Sequence, residues 1–207
     1  VEDQTLAVGS LNALFEVTRP GAAMALDADA DVVVVPTASV FTGAPEAAWA
    51  VAQVLAPLDV RVEALMVADR ASADEPYFVQ RLGEADLVVL CDGSALHARS
   101  VWRASPVGAA IASARRVVAI GSVATVVGDP MIDPRGGAPT TGLGYCNGLV
   151  VTTSADDEQL DRTRSLLGPL DTLCVLGDDD AILHDARGWR VVRGAPVVTR
   201  GHDVVEL

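Results

Sequence analysis

The segment Gly121-Ser122-Val123-Ala124-Thr125 joins an apolar stretch, 116–120, to a run able to begin a helix. A sharp strand-to-helix bend holds one side chain beside backbone N–H groups without partners. That arrangement suits nucleophilic attack and the holding of a developing negative charge. Val123, at the centre of the segment, has nothing to attack with, but its neighbour Ser122 carries a hydroxyl. His97 brings the imidazole nearest in the expected layout, a base for Ser122 or Ser94, or else a solvent-facing residue early in a helix. Ser122 has an equally simple structural role, capping the turn that follows it.

A second turn, Asp92-Gly93-Ser94, also joins a strand end to a helix start, so its N–H groups could receive a carboxylate or a carbonyl oxygen. The plainer reading is a βα turn with Ser94 as N-cap, and one loop can do both. Asp129, Asp133 and Arg135 lie beyond the central segment. They read either as a buried Asp–Arg pair bracing a Pro-rich loop or as a recognition pair for a carboxylate or an amine. Asp178-Asp179-Asp180 reads as a solvated bend, and Asp156-Asp157-Glu158 as an acidic first helical turn that suits the helix dipole. Cys91, at a buried strand end without a partner base, is a poor nucleophile.

Positioning these groups requires buried strands that end together. The β-branched run Asp31-Val32-Val33-Val34-Val35 predicts a strand covered on both faces, the mark of a parallel sheet. Further strands are expected over 5–8, 60–67, 86–90 and 116–120. Between them, a helix opens at Pro45 and is carried by Val51, Val54 and Leu55 up to Pro57. Other helices are expected over 75–82, from Ser94 to Trp102, and from Ser105-Pro106 to Ala114. A short alanine-rich helix is expected just after the break at Arg19-Pro20-Gly21. This alternation implies a doubly wound, mostly parallel α/β sheet flanked by helices, with sites at the carboxyl ends of its strands, in the loops after Val35, Leu90 and Ile120.

Past Pro130 the texture changes. The run Asp133-Pro134-Arg135-Gly136-Gly137-Ala138-Pro139 reads as irregular, followed by a strand over 149–153 and a helix over 156–167. Short strands over 172–176, 181–184, 189–192, 197–199 and 204–206 read as a β-hairpin extension of the sheet. The expectation is one α/β domain over 1–207, with 172–207 as its β-rich extension.

Composition narrows the partners. The chain has 207 residues, half of them hydrophobic, enough to bury a core without disulfides or metals. Fifteen basic residues, all arginine, against 28 acidic give a net charge of −13, which disfavours nucleic acid and anionic membranes. Cys91, Cys146 and Cys174 show no paired zinc or redox spacing, so reduced thiols in a cytoplasm are expected, with no metal and no cofactor. No leader-like opening and no apolar run near about 20 residues is seen, so neither a signal peptide nor a membrane span is expected.

Three segments together resemble the dipeptidase E and cyanophycinase family, serine peptidases on a class I glutamine amidotransferase-like, flavodoxin-like three-layer sandwich. The first, Val88 through Trp102, resembles the Gly-rich loop and helix before the nucleophile in a bacterial branch of that family. The second is Gly121-Ser122-Val123-Ala124-Thr125, where the family has Gly-(Ser/Thr)-Ser-Ala-Gly. The third and most specific is Met131 through Thr140, with Gly142-Leu143-Gly144 and Gly148-Leu149-Val150-Val151 behind it.

The resemblance implies a nucleophilic serine at the place of Val123 and a histidine in the region of Thr153-Ser154, with Ser154 at the base position. Both groups are missing, and Thr125 replaces the glycine that ends the family's turn. Losing a triad nucleophile costs on the order of 10⁶ in kcat, so the expectation is a non-hydrolytic relative. Its cleft would hold a small acidic or peptide ligand through Asp92, Gly93, Ser94, Gly121, Ala124, Asp133 and Arg135. Two alternatives stand beside it: a hydrolase with rearranged chemistry using Ser122 and His97, and a structural homodimer subunit with a vestigial cleft.

Overall fold

The computed structural model describes residues 3–153 and 156–207. The elements follow in chain order as β1 (Gln4–Val8), α1 (Leu11–Thr18), β2 (Asp31–Val35), α2 (Ala44–Leu55), β3 (Arg61–Ala64), α3 (Pro76–Glu84), β4 (Leu87–Leu90), α4 (Ala95–Trp102), α5 (Pro106–Ala112) and β5 (Arg116–Ile120). A 3₁₀ turn spans Gly121–Val126. Then come β6 (Met131–Ile132), β7 (Pro139–Thr140), β8 (Val150–Thr153), α6 (Asp157–Leu166), β9 (Thr172–Leu176), β10 (Ala181–Asp185), β11 (Gly188–Arg193), β12 (Val197–Arg200) and β13 (Asp203–Val204).

A mostly parallel α/β sheet forms as the apolar runs require. Its order is β11-β10-β1-β5-β4-β2-β3, with β1 to β5 mutually parallel and β10 and β11 added antiparallel at one side. Alternate residues serve opposite faces. Val32, Val34, Leu87, Val89, Val118 and Ile120 pack with α1 and α2 on one side. Val33, Val35, Val88, Leu90, Val117 and Ala119 pack with α3, α4 and α5 on the other. Strands buried on both faces have no polar side to show, which is why they read as continuous apolar runs.

Four expectations need correction. The helix near Pro20 precedes the break. Ser10 caps it by accepting from the Asn12 N–H at 3.2 Å, and the alanine-rich stretch after Gly21 is not helical. Met24 and Leu26 instead donate their N–H groups to the carbonyls of Val17 and Thr18, at 2.9 and 3.0 Å, closing the open end of α1. The strand expected over 60–67 is only β3, whose pairing with β2 runs from Asp31↔Arg61 to Val34↔Ala64. Within the irregular 133–139 stretch, Pro139 opens β7, which pairs with β6 as a two-residue ladder at a site where proline is tolerated.

The tail differs most. Only β10 and β11 extend the main sheet. Strands β9, β12 and β13 join β8 in a separate four-stranded sheet of order β13-β12-β9-β8. Cys174, Leu176 and Val198 of that sheet share a core with β4, β5 and α4. Residues with the same alternating signature thus serve two sheets, because β8 and β9 are parallel neighbours joined through α6.

Candidate functional site

The three loops singled out from the sequence meet. Ser39, after β2, donates its hydroxyl to the Asp92 carbonyl at 2.5 Å. The Ser94 N–H reaches the Ala38 carbonyl at 2.7 Å. Asp92, after β4, in turn spans to the loop after β5. Its Oδ1 accepts from the Gly93 N–H at 2.7 Å, from the Ser122 N–H at 2.8 Å and from the Ser122 hydroxyl at 2.7 Å. The Ser122 hydroxyl also faces the Gly93 carbonyl, so one proton serves two acceptors.

Gly121 makes this approach feasible. It is the left-handed residue of the bend, with φ +59°, and a β-carbon there would lie 2.3 to 2.5 Å from the Asp92 carboxylate. Only glycine combines that conformation with that proximity. The resemblance placed the nucleophile at Val123, but this side chain has no exposure and belongs to the core between the sheet and α4. Ala124 is equally buried. The Thr125 hydroxyl is buried without a partner among the described residues.

Ser122 and His97 do not pair. His97 donates its Nε2–H to the Ala68 carbonyl at 2.9 Å and stands edge-on to Phe41, with ring centroids 4.7 Å apart. Ser94 caps α4 by accepting from the His97 N–H at 3.3 Å, which makes the capping role of that serine real. Ser154 lies outside the described residues.

The Asp133–Arg135 pair exists, with Arg135 Nε 3.8 Å from Asp133 Oδ1. It is not the buried brace expected, since the arginine side chain is 77% exposed. Asp133 mainly ties its own loop, accepting from the Arg135 N–H at 2.9 Å, while its carbonyl accepts from the Gly137 N–H. These residues lie in a separate loop from Asp92 and Ser122, and no hydrogen bond among the described residues links the two groups.

Asp180 braces its turn by accepting from the Gly177 and Ala195 N–H groups at 2.8 and 2.9 Å. No group of three or more His, Cys, Asp or Glu poised for a metal occurs among the described residues. Burial, reinforced by the Asp92 charge, pushes the Cys91 thiol up to about 12, so it is no nucleophile.

One cavity reaches this junction. It holds about 100 Å³ between α1 and α2, with almost wholly apolar walls from Leu11, Ala47, Ala50, Val51, Cys91 and Ile120; Asp92 also borders it, but Gly93, Gly121 and Ser122 do not. Larger cavities, of about 290 and 380 Å³, are lined by none of Asp92, Gly93, Ser94 or Ser122. Trp102 is sealed in the core, its Nε1–H on the Thr37 hydroxyl at 3.2 Å. Ser39 and the α2 wall were missed by sequence reading, although the alanines at 44, 47, 48 and 50 were a visible sign of a helix packed closely against something.

No protein-family model matches the chain, and no curated protein matches it. Solved structures do. A peptidase from an acI-B1 Actinobacterium superimposes with a TM-score of 0.74 at 18% identity, covering 100% of this chain and 94% of that one. A candidate Peptidase E protein from Listeria monocytogenes EGD-e gives 0.67 at 13% identity, over 94% of this chain and 100% of that one. The chain therefore shares the fold of these peptidases along essentially its whole length. No helix among the described residues is long and apolar enough to cross a membrane.

Proposed function

We propose that this chain is a non-hydrolytic member of the dipeptidase E and cyanophycinase-like group, keeping the junction of its three loops as a binding site. The observation that carries this reading is the Asp92 carboxylate seated on the strand-to-helix bend. It holds the Gly93 N–H and both donors of Ser122. Backbone N–H groups engaged by an internal anion cannot stabilise the oxyanion of a tetrahedral intermediate without displacing it. A serine bound to a carboxylate with no imidazole also lacks the base, poised near neutral pH, that serine chemistry uses.

The same carboxylate revises the ligand. An acidic group at this junction would meet Asp92 at close range, so the ligand we propose is a small peptide or amine-bearing molecule rather than an acidic one. The three free, buried cysteines suit a reducing cytoplasm.

A fluorophosphonate probe and a panel of dipeptides, acidic ones included, test the reading together. The expected result is no labelling of Ser122 and no hydrolysis above the uncatalysed rate. Labelling of Ser122 that is lost in Ser122→Ala would establish the rearranged hydrolase instead.

A further inference from the structure

We propose that the free edge of β3 is a contact surface for a second copy of this chain, which continues the main sheet across a twofold axis at Val62. β3 ends the sheet on its side, and β2 is its single ladder partner among the described residues. The Arg61 and Leu65 N–H groups turn inward, to the carbonyls of Ala30 and Val34, both at 2.9 Å. Backbone groups alternate along a strand, so those of Val62 and Ala64 point outward. Neither of these two N–H groups has a partner among the described residues.

The flanks of this edge are apolar on both faces. On one face Val62 and Ala64 pack against the α2 side of the core. Ala47 and Ala50 of α2 face α1, while Ala48, Val51 and Leu55 sit on the sheet. Helical spacing therefore leaves exposed Trp49 on the side away from α1, where β3 lies. Met66, just beyond β3, is exposed as well. On the other face Tyr77 of α3, also exposed, donates its hydroxyl to Glu63 of β3 at 2.6 Å. A stable interface buries about 800 Å² per partner. A strand of four residues cannot supply that alone, and these side chains supply the rest. At the opposite edge of the sheet β11 exposes only Val191 among its large apolar residues and carries Arg190 and Arg193, charges of the kind that guard an edge.

Charge selects a second copy as the occupant. For outward groups to meet outward groups across an antiparallel pair, a twofold axis normal to the sheet must pass through a residue. An axis at Glu63 sets that carboxylate against its own copy, and one at Ala64 sets it against Leu65. An axis at Val62 sets Arg61 opposite the partner's Glu63, and does so twice. Opposite charges directly across a strand pair stabilise it, and like charges destabilise it. Arg61 is free to turn, since its paired carboxylate, Asp29, is exposed and 3.9 Å away. The same axis lays Val62 on its copy and turns Trp49 toward α2 of the partner. A net charge of −13 on each chain opposes association, so the local contacts have to outweigh it. None of Asp92, Gly93 or Ser122 takes part, and this proposal stands or falls apart from the proposed binding site.

The experiment is sedimentation equilibrium of the chain over a wide concentration range, with a cross-linking arm. A reversible monomer–dimer equilibrium is expected. Trp49→Glu and Arg61→Glu, both at exposed positions, should each raise the dimer dissociation constant tenfold or more. Val62→Cys under mild oxidation should give a disulfide-linked dimer, because directly opposed residues lie about 5.5 Å apart, within disulfide reach. Ala64→Cys should not, since its two copies would stand about 14 Å apart. Cys91, Cys146 and Cys174 are buried and do not compete.

A monomer at every concentration, a dimer indifferent to both charge substitutions, or cross-linking through Ala64→Cys and not Val62→Cys would overturn the proposal. Cross-linking of Val62→Cys to another protein in a mixed extract, in place of its own copy, would give the edge a different occupant and overturn it too.

Discussion

Asp92 Oδ1 receives both the backbone N–H and the hydroxyl of Ser122, at 2.8 and 2.7 Å, and thereby ties the end of β4 to the end of β5 across the mouth of the junction. Replacing Asp92 by alanine removes these bonds and the one from Gly93. Because the group is exposed, water replaces part of what is lost. The expected destabilisation is about 1–2 kcal/mol, measured by denaturant unfolding.

Gly121 and Asp92 should be energetically coupled. Gly121→Ala must place a β-carbon in a left-handed residue and against the carboxylate, at an expected cost of about 2–3 kcal/mol. In an Asp92→Ala background the steric part vanishes and the left-handed penalty remains, about 1–2 kcal/mol. A double-mutant cycle should therefore give a sum smaller than its parts, and strict additivity would mean that the two groups do not meet.

Restoring a serine at the position named by the resemblance should not restore a peptidase. Val123→Ser buries a hydroxyl and leaves a small void in a fully covered position, costing about 2–3 kcal/mol. Neither Val123→Ser nor its combination with Ser154→His should cleave acidic dipeptides. Turnover by the double variant in a continuous assay would show that the position still opens to substrate.

Thr125→Val should be neutral or stabilising by up to about 1 kcal/mol, since the buried threonine hydroxyl has no described partner and the exchange preserves shape. Thermal unfolding decides this. A clear loss of stability would reveal an unseen partner for that hydroxyl.

Acid sensitivity should centre partly on Asp185. The bond from Arg190, aided by the Arg187 N–H, holds its carboxyl below the usual carboxylate range. A folded pKa below the unfolded one, about 3.9 for aspartate, stabilises above the unfolded value and is lost as pH falls through the folded one. Asp185→Asn should therefore lower Tm at pH 7 and narrow the gap to wild type as pH drops below about 4. A constant gap down to pH 2 would contradict the pairing.

Much of the fold could be read from the chain because strands covered on both faces announce themselves. The valine run of β2 and the leucine–valine run of β4 admit little else, and Ser94, Ser105 and Asp156 cap the helices that their types suggest. What escaped depends on long-range choices. Nothing local distinguishes β9, which enters the second sheet, from β10, which enters the first. The site was legible as three loops and illegible as a contact. The spacing of Asp92 and Ser122 along the chain gives no hint that a hydroxyl donates to a carboxylate 30 residues away. It likewise gives no hint that Val123 turns inward.

The position of β1 has a consequence for the order in which the molecule can be assembled. Its neighbours are β5 on one side and β10 on the other, with Thr5 opposite both Val117 and His184. In a chain made from the amino end, β1 therefore meets neither of these partners until β5 has been made, and stays half-paired until β10 follows. Strands closed by such distant partners form slowly, because a long loop must be ordered before the pairing repays it. The antiparallel hairpin of β10 and β11 is the latch that completes its pairing.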